Sequence, residues 1–286
     1  MVLAGSVPFE RNLSVPLSAS TSSTTGIAYD RAGPRDGVTV VLVHAGIADR
    51  RMWDPQWPAL TSAHDVVRLD LRGFGASTAR PGGALSPVDD VLETLDHLEI
   101  ESAHLVGASY GAGVAVEVAL SRPALVASLV LSAPGGSLIA EVTPHLRSFF
   151  DAERSALEAD DLDAAVEANL SWWVDGPHRA PDDVDRNVRE QVREMQRLAF
   201  ELTADWDDVP EKELDPPALE RLGDVAAPTL VLDGALDLDA IADTATRVSA
   251  GIPGARRETW PDVAHLPSME RPDDFLALLQ EWLRGR

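Results

Sequence analysis

The stretch "SAHLVGASYGAGVAVEVAL" (residues 102–120) begins as an apolar strand, passes through small residues clustered around one serine, and continues as a helix. Its centre, "GASYG", fits G-x-S-x-G with Ser109 in the middle. A tight strand-to-helix connection would by itself call for small residues. A nucleophile held out for attack calls for them more strictly, because a sharp turn that exposes a hydroxyl brings flanking side chains into collision. Gly107, Gly111, Ala112 and Gly113 meet that demand. The helix that starts beside the serine also turns free N–H groups toward any negative charge developing there.

Working outward, short β-branched runs bounded by turn residues recur along the chain: "GVTVVLVHAG" (37–46), "DVVRLDLRG" (65–73), "SAHLVGAS" (102–109), "ASLVLSAP" (127–134) and "APTLVLDGALD" (227–237). Near-continuous apolar strands of this kind belong to parallel sheets covered on both faces. Helical patterns lie between several of them, at 86–99 and 111–122. The alternation predicts an α/β fold, a mostly parallel central sheet flanked by helices. Two earlier segments, "FERNLSVPL" and "TGIAYDRAG", show polar alternation and read as an antiparallel edge, with "SASTSSTTG" between them as a turn.

From about residue 138 to 222 strand-like runs vanish and acidic helical segments replace them. The pattern predicts an all-helical cap at 138–222 inserted into a core formed by 1–137 and 223–286. This lid should shape a pocket. Phe149, Trp172, Trp173 and Trp206 supply bulky apolar surface for a substrate, although each could equally pin the lid helices together. Adjacent helical residues point about 100° apart, so at least one of Trp172 and Trp173 is expected to reach the site.

Composition narrows the function. The formal charge is −23, from 24 basic and 47 acidic residues, which opposes binding to a phosphate backbone. No window approaches the length of apolar chain that crosses a bilayer, and the opening residues lack the basic leader and apolar run of a secretory signal. With no cysteine, disulfides, thiolate metal sites and cysteine nucleophiles are excluded. That composition is compatible with the cytoplasm, the expected location.

A serine hydroxyl needs a base to take its proton and a carboxylate to orient that base. Of seven histidines, His64, His97, His104, His145 and His178 precede the last strands with no partner pattern and read as structural or exposed. His265, in "ETWPDVAHLPSMERPDDF", lies in a loop before the terminal helix, where the topology would bring it to the carboxyl edge of the sheet beside Ser109. "LVLDGALDLDAIAD" offers Asp233, Asp237 and Asp239 as the carboxylate. Asp237, three residues past the turn glycine, is preferred; Asp233 ends the strand and Asp239 starts a helix or is exposed.

The order Ser109, Asp237, His265 is that of the α/β-hydrolase fold, and the chain resembles that superfamily in four places: "VLVHAG", "DLRGFGAS", "GASYG" and "GALD…AHLPSMERP". The resemblance implies a serine hydrolase with a helical lid. It nominates the backbone N–H groups of Gly46 and Tyr110 as the oxyanion hole. His44 is then structural, and Ala45 stands where the family usually has glycine. The implied activity is hydrolysis of a carboxylic ester or lactone of a small to medium hydrophobic substrate through an acyl-enzyme, with no metal or organic cofactor and no nucleic-acid or membrane partner. Carbon–carbon bond hydrolysis, amide hydrolysis, perhydrolysis, or a ligand receptor on the same fold are the alternatives.

Overall fold

The computed structural model describes residues 20–21 and 26–285. "FERNLSVPL" lies outside the described residues, as does most of "SASTSSTTG". Eight strands form one sheet: β1 (Ser20–Thr21), β2 (Ala28–Ala32), β3 (Thr39–Val43), β4 (Val66–Leu69), β5 (Ala103–Ala108), β6 (Val126–Ser132), β7 (Thr229–Gly234) and β8 (Arg256–Trp260). Their order is β1-β2-β4-β3-β5-β6-β7-β8. β1 pairs antiparallel with β2 and β2 antiparallel with β4; every other pairing is parallel. The sheet is therefore mostly parallel, with an antiparallel edge formed by β2, from "TGIAYDRAG", and by β1, where Ser20–Thr21 of "SASTSSTTG" pairs with β2 as a short strand rather than forming the expected turn.

Nine α-helices accompany it: α1 (Trp57–Thr61), α2 (Pro87–His97), α3 (Tyr110–Ser121), α4 (Pro144–Glu158), α5 (Leu162–Asn169), α6 (Arg186–Thr203), α7 (Asp239–Gly251), α8 (Pro267–Glu270) and α9 (Pro272–Arg284), counted among the described residues. Alternate residues of one strand feed opposite faces, as a period of two requires. Val40 and Leu42 of β3 join α1 and α9, while Val41 and Val43 join α2, α3 and the second half of α7. Both faces of the sheet are thus covered, which explains strands that are apolar throughout. β8 is the exception. Its sequence "RRETW" is polar and partly exposed because it forms an edge with one neighbour, so an apolar-run criterion passes over it.

Between β6 and β7 the described chain adds no strand to the sheet: it holds α4, α5, a π-helix over Leu170–Asp175, α6, short 3-10 turns and one isolated bridge from Glu211 to Leu85. α4 starts on Thr143, whose hydroxyl accepts from the Leu146 N–H; α5 starts on Asp161, which caps Ala164. Phe149, Val166, Leu170, Trp173 and Met195 from this segment belong to the same buried apolar cluster as Leu42 and Trp53 of the body. No described helix is long and apolar enough to cross a membrane.

Candidate active site

Ser109 stands between β5 and α3 with φ +51° and ψ −114°, a backbone conformation L-residues rarely adopt. Glycines make this turn possible. A Cβ on Gly107 would fall 2.3 Å from the Gly111 carbonyl oxygen, and one on Gly111 would fall 2.5 Å from those of Val43 and His44. The turn is fixed from the neighbouring strand as well, where the Ser109 N–H donates to the Ser132 carbonyl at 2.9 Å.

Asp237 and His265 arrive on two loops that meet at the same end of the sheet. A Cβ on Gly234, at the end of β7, would lie 2.2 Å from the Ala264 oxygen, and Leu236 N–H donates to Val263 O at 3.0 Å. These approaches bring Asp237 Oδ2 to 2.7 Å from His265 Nδ1, while His265 Nε2 lies 2.7 Å from Ser109 Oγ. An ionised carboxylate only accepts, so Nδ1 carries the proton and Nε2 is left to accept from the serine hydroxyl. The second Asp237 oxygen accepts from the Leu238 N–H at 2.7 Å. Both residues are shielded from water, His265 at 2% exposure and Asp237 at 6%.

The other two aspartates are engaged elsewhere. Asp233 receives two hydrogen bonds from the Arg257 guanidinium at 2.8 and 2.9 Å. Asp239 opens α7 and accepts from the Thr143 hydroxyl at 2.6 Å. His44, completely buried, accepts at Nε2 from the Leu71 N–H and donates from Nδ1 to the Ala45 carbonyl, both at 2.8 Å. It joins the end of β3 to the "DLRG" turn as a neutral ring. Burial holds its pKa below the ordinary histidine value, against the pull of Asp70. His104 meets the Ser128 hydroxyl, and His145 and His178 face one another in the helical segment.

A cavity of about 660 Å³ opens over Ser109. Gly46 and Tyr110 both line it, and a Cβ on Gly46 would sit 3.5 Å from the Tyr110 Cβ. Tyr110 is the first residue of α3, where an N–H has no acceptor within the helix. The Tyr110 hydroxyl donates to Glu211 at 2.6 Å, and burial together with that carboxylate pushes its pKa up. Trp173 and Trp206 reach the cavity wall; Trp172 and Phe149 do not. Trp172 turns toward His145, and Phe149 meets Trp173 edge-on at 5.1 Å. The cavity receives Phe150 instead, along with Phe74, Ile139 and Val142. Strand and helix periodicity alone does not single these out, since they converge from the turn after β4, the loop before α4 and α4 itself. Among the described residues no group of acidic, histidine or cysteine side chains could hold a metal ion.

Comparison with known proteins shows the family. The chain is 32% identical over 222 residues to a Variovorax paradoxus protein named "Putative carbamate hydrolase RutD", covering 71% of this chain and 75% of that one. It is 25% identical over 254 residues to "3-oxoadipate enol-lactonase 1" of Acinetobacter baylyi, covering 88% and 91%. A solved hydrolase from Pseudomonas aeruginosa superposes with a TM-score of 0.73 at 29% identity, covering 94% of this chain and 99% of the other. A family model matches residues 40–278, a span that runs from β3 into α9 and includes Ser109, Asp237 and His265; the chain belongs to the alpha/beta hydrolase family of enzymes.

Proposed function

We propose that this hydrolase cleaves carboxylic esters or lactones of small to medium apolar substrates, with Ser109 as nucleophile, His265 as general base and acid, and Asp237 orienting the imidazole. The chief support is the unbroken relay from Asp237 through His265 to the Ser109 hydroxyl, 2.7 Å at each step, opening on a mainly apolar cavity. His265 Nε2 takes the hydroxyl proton as Ser109 Oγ bonds to the substrate carbonyl carbon. The N–H groups of Gly46 and Tyr110 receive the oxyanion, a contribution of about 3–4 kcal/mol per donor in comparable sites. As the carbon–oxygen bond to the leaving group breaks, Nε2–H returns the proton to the departing oxygen. Water, deprotonated by the same nitrogen, then attacks the acyl carbon and releases the acid, restoring the serine hydroxyl.

Residues 138–222 act in this proposal as a cap over the cavity, and Trp173, Trp206, Phe150 and Val142 set how much acyl or alcohol chain fits. The chemistry needs no organic cofactor or metal. A cytoplasmic enzyme with no nucleic-acid or membrane partner is consistent with the negative charge and cysteine-free composition. The name of the Variovorax relative favours a carbamate as the second substrate class, since its carbonyl is open to the same attack.

Purified protein should be assayed on p-nitrophenyl esters of graded length, aryl esters, lactones and a carbamate, beside Ser109→Ala. Turnover of at least one class, lost in Ser109→Ala while the fold persists, is the expected result. Undiminished turnover in that variant refutes the assignment.

A further inference from the structure

The segment that follows Trp173 is bound to the loops that carry Asp237 and His265 by contacts outside the relay. Trp173 lies within the π-helix, Asp175 ends it, and Arg179 comes four residues after Asp175. Arg179 Nε donates to the Asp175 carbonyl at 2.7 Å and Nη2 to that of Val174 at 2.8 Å, so the guanidinium satisfies two carbonyls at the end of that helix. Its Nη1 reaches Glu270 Oε2 at 2.7 Å, and the two side chains are only 13% and 7% exposed.

Glu270 lies in α8, beyond His265. Its carboxylate accepts from the Ala264 N–H at 3.0 Å and the Leu266 N–H at 3.2 Å, the amides on either side of His265. A third contact is steric. Gly176 has φ +75°, and a Cβ there would lie 2.4 Å from the Leu236 oxygen and 3.2 Å from the Ala264 Cβ, so its backbone rests on residues next to both Asp237 and His265. The Asp175 carboxylate is itself held by Arg189 of α6 at 2.9 Å.

We propose that Arg179 and Glu270 are positioning residues: their shielded ion pair makes residues 173–179 and the His265 loop one mechanical unit, so this part of the helical segment is a fixed brace and moves with the relay. Planar guanidinium geometry suits the task, because one side chain serves two carbonyls and a carboxylate at once. Any opening over the cavity must then take place elsewhere, at Val142 or around Trp206, which line the cavity outside residues 173–179, while Phe149 keeps α4 in contact with Trp173. The proposal rests on His265 being the base. A base displaced by about 1 Å loses rate far more than affinity.

The test compares Arg179→Met, Glu270→Gln and the double variant on p-nitrophenyl butyrate, with amide hydrogen exchange read over residues 170–178 and 262–271. Each single variant should lower kcat about tenfold or more with KM within about threefold. The double variant should be no slower than the worse single one, the signature of two groups acting as a unit. Each single change should speed exchange in both segments. Unchanged kcat, losses that multiply in the double variant, or loosening confined to the altered segment overturns the proposal. Should the variants fail to fold, the wild type decides: the two segments are expected to share one opening, and a 170–178 segment exchanging more than about a hundredfold faster than 262–271 sinks the brace. Turnover retained in Ser109→Ala would instead defeat the assignment of the relay, whatever the exchange shows.

Discussion

The indole of Trp173 lies over the imidazole of His265, ring centroids 4.5 Å apart and planes tilted by 45°. An aromatic face at this distance attracts a cation, and the imidazole becomes one once it has taken the serine proton. Removing the face should weaken the charged intermediate more than the resting state. Trp173→Leu is expected to lower kcat by about two- to thirtyfold, from a cation–π energy of about 0.5–2 kcal/mol, and Trp173→Phe by less. Steady-state kinetics on one ester, with folding checked by circular dichroism, measures this. Equal losses in both variants would show that ring electrons are not involved.

The three aspartates near the end of β7 should separate cleanly by readout. Asp237→Asn leaves the geometry but disturbs the imidazole tautomer, and a loss in kcat of about 10⁴-fold is expected. Asp233→Asn breaks the bidentate contact with Arg257 at the sheet edge and should lower the urea midpoint while leaving kcat within a few-fold. Asp239→Asn, joined to Thr143 and partly solvated, should do little to either. A kcat loss for Asp233→Asn rivalling that of Asp237→Asn would reverse the assignment.

Strain at the nucleophile predicts an inverse relation between activity and stability. Ser109 occupies φ +51°, where glycine carries no steric penalty. Ser109→Gly and Ser109→Ala both remove the hydroxyl, so chemistry is lost in each. Ser109→Gly should nonetheless be more stable than Ser109→Ala by about 1 kcal/mol, from the lower end of typical backbone strain. Denaturant unfolding of the pair tests this, and an alanine variant equal to the glycine one would argue against stored strain.

His44 makes the fold sensitive to acid. Burial lowers its pKa in the folded state below the model-peptide value of 6.5, outweighing the attraction of Asp70 and Asp49. As pH falls through 6.5 the unfolded chain takes up a proton that the folded chain refuses, so unfolding becomes favoured until the lowered folded value is reached. The urea midpoint should therefore drop between about pH 7 and pH 5, and drop less in His44→Asn, which cannot titrate. A variant with the same slope as wild type would place the effect on other groups.

The parts of this enzyme legible in its sequence are those that local chemistry dictates. Gly107 and Gly111 announce a turn because their absent side chains let the start of α3 close on β5 at Gly107 and on Val43 and His44 at Gly111. The apolar runs of β3, β5, β6 and β7 announce a sheet buried on both faces. Asp237 is favoured over Asp233 by its place beyond the turn glycine, before any partner is visible. Other features depend on distant docking. "RRETW" carries no apolar run, since β8 has a neighbour on one side only. Whether Trp172 or Trp173 meets the cavity depends on the π-helix, whose wider turn changes the angular spacing that a regular helix would give. Arg179 and Glu270 look like surface charges until the fold brings them together, 91 positions apart in sequence.

Leu146 and Trp173 line the chamber and share one apolar interior with Leu42 and Trp53, so altering them changes both what fits above Ser109 and how tightly the whole body holds. Engineering for a new substrate through those positions should carry a melting penalty with each gain. Val142 and Phe150 border the same chamber yet remain 49% and 43% exposed, which makes them the places where selectivity can be retuned with the least loss of thermal tolerance.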